Sequence, residues 1–411
     1  MERRRTNRPV LLRGNGRPIP TESVVSELSS KARVHAALDG RPVDRFPVAA
    51  LYSTYYQADH FAELSALPAW RLHWWRTAPP AEHADVLARM LDAAPFETVQ
   101  VFEAPSRADR SSTRIFEKHG RAFRERAGRI DALPDTISGH AADYAANERR
   151  TVFGLRDADE HIRVVPAAEQ RASGIDDYVE AAVARLGRDH FIIAGSVAGT
   201  LFSCGAYLGQ TNTFALLVDS PALVEYVCAK VTEQNVETIR RLAATGGDAI
   251  IVDDATATGD MISVAHYERF CLPYMKTLVG EIHRAGLKAI AVYFGAVMDR
   301  IDQIASIGAD GLNVECSMKG YVNDIDEIAR RVGDRVSLFA NIDPVGVIER
   351  GSDADVVREV ARQAEAGRRA RGFLISPASP ITPATPLTRV RQFIDIARAA
   401  GQSGTAAAAA G

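Results

Sequence analysis

Residues 245–259, TGGDAIIVDDATATG, contain a glycine turn, a short apolar run and a polar loop, in that order. The run DAIIVD (248–253) is too short for a helix and almost continuously apolar, which is typical of a strand buried on both faces. A helical pattern leads into it, with Ser220 as N-cap, Pro221 in the first turn and Gly246 at the end. Helix, glycine and buried strand together predict one half of a repeating βα unit.

The same order recurs along the C-terminal half of the chain, in RAGLKAIAV, SIGADGLNV and RVGDRVSLF. Eight strands alternating with helices over this length predict an α/β fold of the (β/α)8 TIM-barrel type. A doubly wound sheet is disfavoured, because no glycine-rich turn joins an early strand to a helix. The candidate strands are FPVAAL (46–51), FETVQVF (96–102), HFIIAG (190–195), DAIIVD (248–253), KAIAVY (288–293), DGLNVE (310–315), RVSLFA (335–340) and GFLIS (372–376).

The domain organisation predicted from these patterns is a single barrel domain over residues 25–400. The basic segment 1–24 and the low-complexity segment 401–411 are expected to be disordered. The alternation is interrupted over 103–174, which we interpret as an excursion over one end of the barrel. Within it, TRIFEKHGRAFRER (113–126) predicts an inserted β-hairpin that turns at His119-Gly120.

Composition and charge exclude several classes of protein. A formal net charge of -3 gives no footprint for nucleic acid, and no run of 18 or more apolar residues is present to span a membrane. The 4 cysteines form no CxxC pair, so they are expected to be reduced core thiols in a cytoplasmic protein. The partner that remains is a small-molecule substrate.

In a (β/α)8 barrel the reacting groups lie at the C-terminal ends of the strands and in the loops that follow. Asp253 is the preferred candidate because it closes its strand before a flexible loop, and Glu315 is costly at a strand end unless it faces the site. Asp254 could equally cap a turn, and Cys316 is expected to be a packing residue. We predict Asp253, Glu315 and Tyr293 as catalytic, and Tyr52, Tyr55, Ser196, Asp254, Asn341 and Ser379 as substrate-binding. The tyrosines could instead be rim packing.

The segment from GADGLNVECSMKG (308–320) through ANIDP (340–344) to GFLISPASPITPATPLTRVRQFIDIAR (372–398) resembles the uroporphyrinogen decarboxylase superfamily. ALDGRPVDRFPVAAL and GSVAGTLFS extend the resemblance over roughly residues 30–400. It implies a (β/α)8 barrel, a possible homodimer, and either cofactor-free decarboxylation or zinc-dependent methyl transfer with corrinoid proteins. It also implies that Glu315 faces the pocket and that Asn341 and Asp343 lie in the turn after the seventh strand.

The chain departs from both functional patterns of that superfamily. LYSTYYQADH (51–60) stands where the decarboxylases carry an arginine-rich RQAGR segment, and PASPI stands where they carry GHGI. The methyltransferases have HxCG where this chain has VYFG, so Val292 and Phe294 replace two zinc ligands and Ser379 falls near the third. No metal and no cofactor is therefore predicted, with zinc possible only through rearranged ligands.

Three functions follow from this resemblance. The first is a lyase that decarboxylates a carboxylated aromatic or heteroaromatic small molecule, other than uroporphyrinogen, by acid-assisted protonation from Asp253 or Glu315. The second is methyl transfer to or from a corrinoid or folate carrier, with a corrinoid protein as partner. The third is a non-catalytic barrel that binds a tetrapyrrole or another small molecule.

Overall fold

The structure is a computed structural model that describes residues 27–135, 148–378 and 380–402. Its core is a curved parallel sheet with helices outside it, which confirms the predicted α/β barrel class. The segment 1–24 and residues 403–411, predicted to be disordered, lie outside the described residues. Gly401 and Gln402 belong to the last helix. The single-domain boundary at 25–400 stays a prediction.

The described residues contain ten strands, which form two sheets. The parallel sheet has 7 strands in the order β1-β5-β6-β7-β8-β9-β10, and a separate antiparallel sheet contains β2, β3 and β4. The strands are β1 (Thr98–Gln100), β2 (Thr113–Lys118), β3 (Arg121–Arg126), β4 (Arg129–Ala132), β5 (Phe191–Ala198), β6 (Ala249–Asp253), β7 (Lys288–Tyr293), β8 (Gly311–Val314), β9 (Ser337–Phe339) and β10 (Phe373–Leu374).

The segment predicted as the first strand closes the barrel. Val48 forms a parallel bridge with Ile375. The N–H of Ala49 donates to the carbonyl of Ile375 at 2.9 Å, and the N–H of Ile375 donates to Pro47 at 2.9 Å. On the other side, the N–H of Glu97 donates to the carbonyl of Val48 at 2.8 Å. This extended segment therefore occupies the eighth strand position, between β10 and β1.

Helices surround this barrel. They are α1 (Ser30–Leu38), α2 (Ser53–Asp59), α3 (Phe61–Ser65), α4 (Arg71–Trp75), α5 (Pro80–Ala93), α6 (Arg107–Ser112), α7 (Leu155–His161), α8 (Ala167–Ala172), α9 (Asp177–Leu186), α10 (Thr200–Leu208), α11 (Gln210–Asp219), α12 (Pro221–Ala243), α13 (Val264–Phe270), α14 (Leu272–Arg284), α15 (Ile301–Ala305), α16 (Ile325–Val332), the π-helix Pro344–Glu349, α17 (Asp353–Gly367) and α18 (Leu387–Gln402). Among the described helices, none is long and apolar enough to cross a membrane.

Local sequence signals set several of these helix ends. α12 begins at Pro221 and is followed by Gly246, whose φ of +82° is the left-handed conformation expected after a helix. The helical pattern around Pro273 is divided at Cys271 into α13 and α14, because proline supplies no N–H to continue the ladder. These signals orient the helices that precede β6 and β7.

The strands present two buried faces with different partners. Alternate residues point into the barrel or outward against the helices, because successive side chains of a strand lie on opposite faces. The inward set forms its own apolar cluster, which includes Ala49, Leu51, Phe191, Ile193, Ala249, Ile251, Ile290, Val292, Phe339 and Leu374. The outward set, including Ile250, Val252, Ala291, Tyr293, Leu312 and Val314, packs in the larger cluster with the helices.

The predicted hairpin at 113–126 is present between β1 and β5. Its strands pair from Thr113 with Arg126 to Lys118 with Arg121. His119 and Gly120 have φ values of +53° and +79°, the left-handed pair that a two-residue type I′ turn requires. A third strand, β4, extends the hairpin and was not predicted.

Candidate active site

Asp253 ends β6 on the inward face of the barrel. Its register partner on β5 is Ala198, and it follows Ile251 of the interior cluster at the spacing of two that keeps side chains on one face. The phenol of Tyr52 donates a hydrogen bond to Asp253 Oδ2. Tyr52 and Asp253 are therefore brought together across the barrel from positions 201 residues apart.

Burial raises the pKa of Asp253 to about 6, because the charged carboxylate loses solvation. The hydrogen bond from Tyr52 opposes this shift, and the neighbouring charge of Asp254 adds to it. Asp253 Oδ1 accepts no hydrogen bond from the part of the chain that the structure describes. The phenol of Tyr52 therefore holds one of the two carboxyl oxygens of Asp253, Oδ2.

The main chain of Tyr52 has an unusual conformation. Its φ of 52° and ψ of 30° lie in the left-handed region, which costs a residue other than glycine of order 1 kcal/mol or more. The N–H of Tyr52 donates to Gln100 Oε1 at 2.7 Å. Gln100 is the last residue of β1 and is only 6% exposed.

Three aromatic rings line the barrel beside Asp253. The Tyr55 ring is stacked on that of Tyr52 with 6.0 Å between centroids and 18° between planes. Phe294, which follows β7, lies 5.8 Å from Tyr52 at a tilt of 49°. All three contact the interior cluster. Burial, followed by the charge of Asp253, raises the pKa of Tyr52 and of Tyr55, so both phenols stay protonated and can donate hydrogen bonds.

A second carboxylate, Glu315, follows β8 on the inward face. Burial raises its pKa above the usual range, while hydrogen bonds from Cys316 act in the opposite direction. The thiol of Cys316 lies 3.7 Å from Glu315 Oε1. Burial, followed by the charge of Glu315, raises the pKa of Cys316 to about 12, so this cysteine stays a thiol near neutral pH.

Two asparagines fix the main chain around Glu315. Asn323 Nδ2 donates to the carbonyls of Gly295 at 2.8 Å and Glu315 at 3.0 Å, which joins the loops after β7 and β8. Asn341 Nδ2 donates to the carbonyls of Asn323 at 2.9 Å and Glu315 at 3.2 Å. Asn341, predicted to bind substrate, is only 4% exposed and positions the loop carrying Glu315.

Ser196 and Asp254 lie on opposite sides of the sheet. Ser196 is exposed and pairs in register with Ile251, so its side chain faces the barrel interior, as does that of Asp253. Asp254 is 0% exposed and accepts hydrogen bonds from Leu201 N at 3.1 Å and from Thr256 N and Oγ1 at 3.1 and 2.7 Å. These contacts join the β6 loop to the start of α10, and we propose no substrate contact for Asp254.

Tyr293 lies on the outward face of β7. It is 0% exposed, and its phenol is hydrogen-bonded to that of Tyr267 on α13 at 2.9 Å. Its register partner, Val314, also faces the helix layer. Tyr293 therefore contacts the helices instead of the interior that contains Asp253, and we do not propose a catalytic role for it.

Sequence reasoning missed three residues of the site, and one predicted residue cannot be located. Gln100 and Asn323 act through hydrogen bonds to distant main-chain groups, and neither lies in a recognisable motif. Phe294 was considered only as a replaced metal ligand, although an aromatic residue directly after a barrel strand is itself a signal for a pocket wall. Ser379, predicted to bind substrate, lies outside the described residues.

The side chains at the implied zinc positions do not fit a zinc ion. Val292 is fully buried in the apolar interior, and Phe294 packs against Tyr52; neither carries an N, O or S donor. Within residues 27–135, 148–378 and 380–402, no group of three or more His, Cys, Asp and Glu side chains is placed to hold a metal ion. We therefore derive no catalytic step through zinc.

The fold and this site define an α/β-barrel protein in which Tyr52 and Asp253 are hydrogen-bonded at the C-terminal ends of the strands, with the rings of Tyr55 and Phe294 beside them. The family model described as uroporphyrinogen decarboxylase (URO-D) matches residues 149–400, more than half of the chain. The chain belongs to the uroporphyrinogen decarboxylase family, as its sequence resemblance indicated.

The proteins that are similar to this chain have two different activities. The methylcobamide:CoM methyltransferase MtbA of Methanosarcina acetivorans is 23% identical over 343 residues, which cover 84% of this chain and 91% of that protein. The uroporphyrinogen decarboxylase of Coxiella burnetii is 27% identical over 190 residues, covering 44% of this chain and 50% of that protein. A solved methyltransferase structure from Methanosarcina mazei aligns with a TM-score of 0.67 at 18% identity, covering 90% of this chain and 98% of its own, and supports the fold.

Proposed function

We propose that this protein is a carboxy-lyase that removes CO2 from an aromatic or heteroaromatic acid other than uroporphyrinogen. The observation that carries this proposal is the inward-facing Asp253, whose pKa of about 6 leaves a fraction protonated near neutral pH. Efficient general acids have a pKa near the working pH, and environments that raise the pKa of a carboxylic acid provide this. The phenol of Tyr52 holds Oδ2, so Oδ1 is the oxygen that can donate the proton.

The proposed step is a protonation coupled to loss of CO2. The bond between the ring carbon and the carboxylate carbon breaks, and its electron pair remains on the ring carbon. The proton of Asp253 Oδ1 forms the new C–H bond at that carbon, and CO2 leaves. The aspartate then regains a proton from water, so no oxidant, reductant or metal is required.

The surroundings of Asp253 support a planar substrate. Tyr52, Tyr55 and Phe294 present ring faces and edges against which an aromatic ring can stack. Glu315 lies two strand positions away from Asp253, a separation of roughly 10 Å given the usual spacing of strands. It would therefore contact a different part of the ligand, and we propose Asp253 as the proton donor and Glu315 as a second acid or hydrogen-bonding group.

Release of labelled CO2 from electron-rich aromatic acids tests this function. Pyrrole-2-carboxylate, indole-3-carboxylate and 4-hydroxybenzoate, each labelled with 13C in the carboxyl group, serve as probes, with 13CO2 measured by mass spectrometry. We expect release from at least one, with a rate that falls as the pH rises through about 6, because the acidic form of Asp253 is then lost. Asp253→Asn should lower the rate by about 10²-fold or more.

The matched control is Asp131→Asn, the same substitution on the hairpin strand β4, which should leave the rate unchanged. Full turnover in both Asp253→Asn and Glu315→Gln would contradict the assignment of the acid. Binding of the probes with no release of CO2 from any of them would contradict the lyase and would favour a barrel that only binds its ligand.

Methyl transfer is the second candidate, because the similarity to MtbA extends over 84% of this chain. In this case the protein would move a methyl group between a corrinoid or folate carrier and an acceptor, with a corrinoid protein as partner. Incubation with methylcobamide and CoM, followed by the visible absorbance of the corrinoid, tests this directly. Demethylation that depends on the protein supports methyl transfer, and an unchanged spectrum contradicts it for this pair of substrates.

A further inference from the structure

The contact between Tyr52 and Asp253 depends on a strained piece of main chain. Tyr52 is one of four non-glycine residues with positive φ among the described residues, and it immediately precedes α2. The side chain of Tyr52 makes no capping hydrogen bond to the start of α2. Its phenol instead donates a hydrogen bond to Asp253. A conformation that costs free energy persists only when neighbouring contacts hold it in place.

Gln100 provides such a contact from the barrel wall. It lies at the C-terminal end of β1, whose register with β5 is fixed by Thr98, Val99 and Gln100 pairing with Phe191, Ile192 and Ile193. Its Oε1 accepts the N–H of Tyr52 at 2.7 Å, and both residues are less than 9% exposed. Without this acceptor the N–H would be a buried donor lacking its partner, which is unfavourable.

We propose that Gln100 is a positioning residue that holds the main chain of Tyr52 in its left-handed conformation and thereby keeps the phenol on Asp253. Gln100, the last residue of β1, accepts the main-chain N–H of Tyr52 through its side-chain amide. The phenol of Tyr52 in turn donates to the carboxylate of Asp253. The role of Gln100 in catalysis rests on the proposed function, whereas its effect on the Tyr52–Asp253 contact does not.

A double-mutant cycle with Gln100→Met and Tyr52→Phe tests this link without using activity. Methionine has nearly the length of glutamine but offers no comparable acceptor to the Tyr52 N–H. Proton binding to Asp253 is followed by the pH-dependent infrared absorption of its carboxyl group, assigned by its loss in Asp253→Asn. Because the phenol stabilises the charged form of Asp253, Gln100→Met should strengthen proton binding by about tenfold, as should Tyr52→Phe.

Proton binding to Asp253 in the double variant decides between the alternatives. If Gln100 acts through Tyr52, then Gln100→Met has no further effect on Asp253 in the Tyr52→Phe protein, since the link is already cut. The proposal would be overturned if Gln100→Met changed proton binding to Asp253 as much in the Tyr52→Phe protein as in the unchanged protein. It would also be overturned if Gln100→Met alone caused no change. If Gln100→Met does not fold, Gln100→Asn, which keeps the amide on a shorter side chain, should change proton binding in the same direction, and no change would overturn the proposal.

Thr98→Val provides the matched control on the same strand. Thr98 Oγ1 also accepts a main-chain N–H of the neighbouring segment, that of Ala50 at 3.3 Å. Ala50, unlike Tyr52, has no hydrogen bond to Asp253 among the described residues. Thr98→Val should therefore leave proton binding to Asp253 unchanged while showing how far loss of such a contact lowers the melting temperature. A shift in Thr98→Val as large as that in Gln100→Met would overturn the specific role of Gln100. Absence of decarboxylation alone would contradict only the proposed function.

Discussion

β6 ends at Asp253, and the next residue, Asp254, is a second aspartate with opposite surroundings. Asp253 points into the barrel, where one oxygen meets Tyr52 and the other has no hydrogen-bond partner within the described chain. Asp254 points outward, is 0% exposed and is held by three hydrogen bonds from Leu201 and Thr256. An aspartate side chain is therefore available for chemistry at Asp253, whereas at Asp254 it joins a loop to a helix. The strand's alternation, and not the residue type, separates the two roles.

The largest expected effect is on the outer face. Asp254→Ala removes three hydrogen bonds and leaves buried donors without partners, so the free energy of unfolding should fall by about 3 kcal/mol or more. Urea denaturation at pH 7 measures this loss. Asp254→Asn, which keeps one oxygen acceptor, should lose less. A loss below about 1 kcal/mol in Asp254→Ala would remove the distinction between the two aspartates.

Asp253→Asn should have the opposite effect on stability, and only at higher pH. The folded pKa of about 6 exceeds the unfolded value of about 4, so the folded protein binds the proton more tightly. Stability is therefore lost as pH rises from about 4 to 6, and the full cost remains above that range. Asp253→Asn removes this cost.

The measurement is denaturant unfolding of Asp253→Asn and the unchanged protein at several pH values. We expect the variant to be more stable by about 3 kcal/mol at pH 8 and nearly equal to the unchanged protein at pH 4. Equal stability of the two proteins at pH 8 would show that Asp253 has an ordinary pKa in the folded state.

A smaller effect is expected for the outer face of the next strand. Tyr293→Phe removes the hydrogen bond with Tyr267 and should lower the free energy of unfolding by about 1 kcal/mol. It should leave proton binding to Asp253 unchanged, because Tyr293 faces the helix layer. If Tyr293→Phe changed proton binding to Asp253 as much as Tyr52→Phe does, Tyr293 would belong to the inner site.

The thiol beside Glu315 should resist chemical modification, with no effect expected on stability. With a pKa of about 12 and 6% exposure, Cys316 has little thiolate and little access at pH 7. Alkylation by iodoacetamide, followed by peptide mass spectrometry, should be at least about 100-fold slower at Cys316 in the folded protein than in urea. Rapid labelling in the folded state would reopen the possibility of a reactive cysteine at the inner site.

The sequence contained most of the barrel but not the direction of its side chains. KAIAVY predicts β7 with the bounds observed, since a short apolar run between glycines is a strong signal. The same continuous apolar character hides the alternation, because a strand buried on both faces shows no polar side. The sequence favoured Asp253 and left Asp254 open as a turn cap, but it did not show that Tyr293 faces outward; the register with neighbouring strands places Asp253 and Tyr293 on different faces.

The contacts that complete the site depend on distant parts of the chain. Tyr52 meets Asp253 across 201 residues, and Gln100 reaches the Tyr52 N–H across 48. Nothing in the local sequence of Gln100 signals this acceptor, and the left-handed conformation of Tyr52 contradicts the usual preference of a bulky residue. Glu315, in contrast, could be predicted, because a carboxylate that ends an apolar strand requires a partner or an open site.

The pH titration of Asp253 itself tests most directly whether the inner face holds an acid suited to proton donation. Infrared difference spectra of the unchanged protein, compared with Asp253→Asn, isolate the absorption of the protonated Asp253 carboxyl group. We expect this absorption to disappear with a midpoint near pH 6. A midpoint near pH 4, the value of an ordinary aspartate, would contradict it.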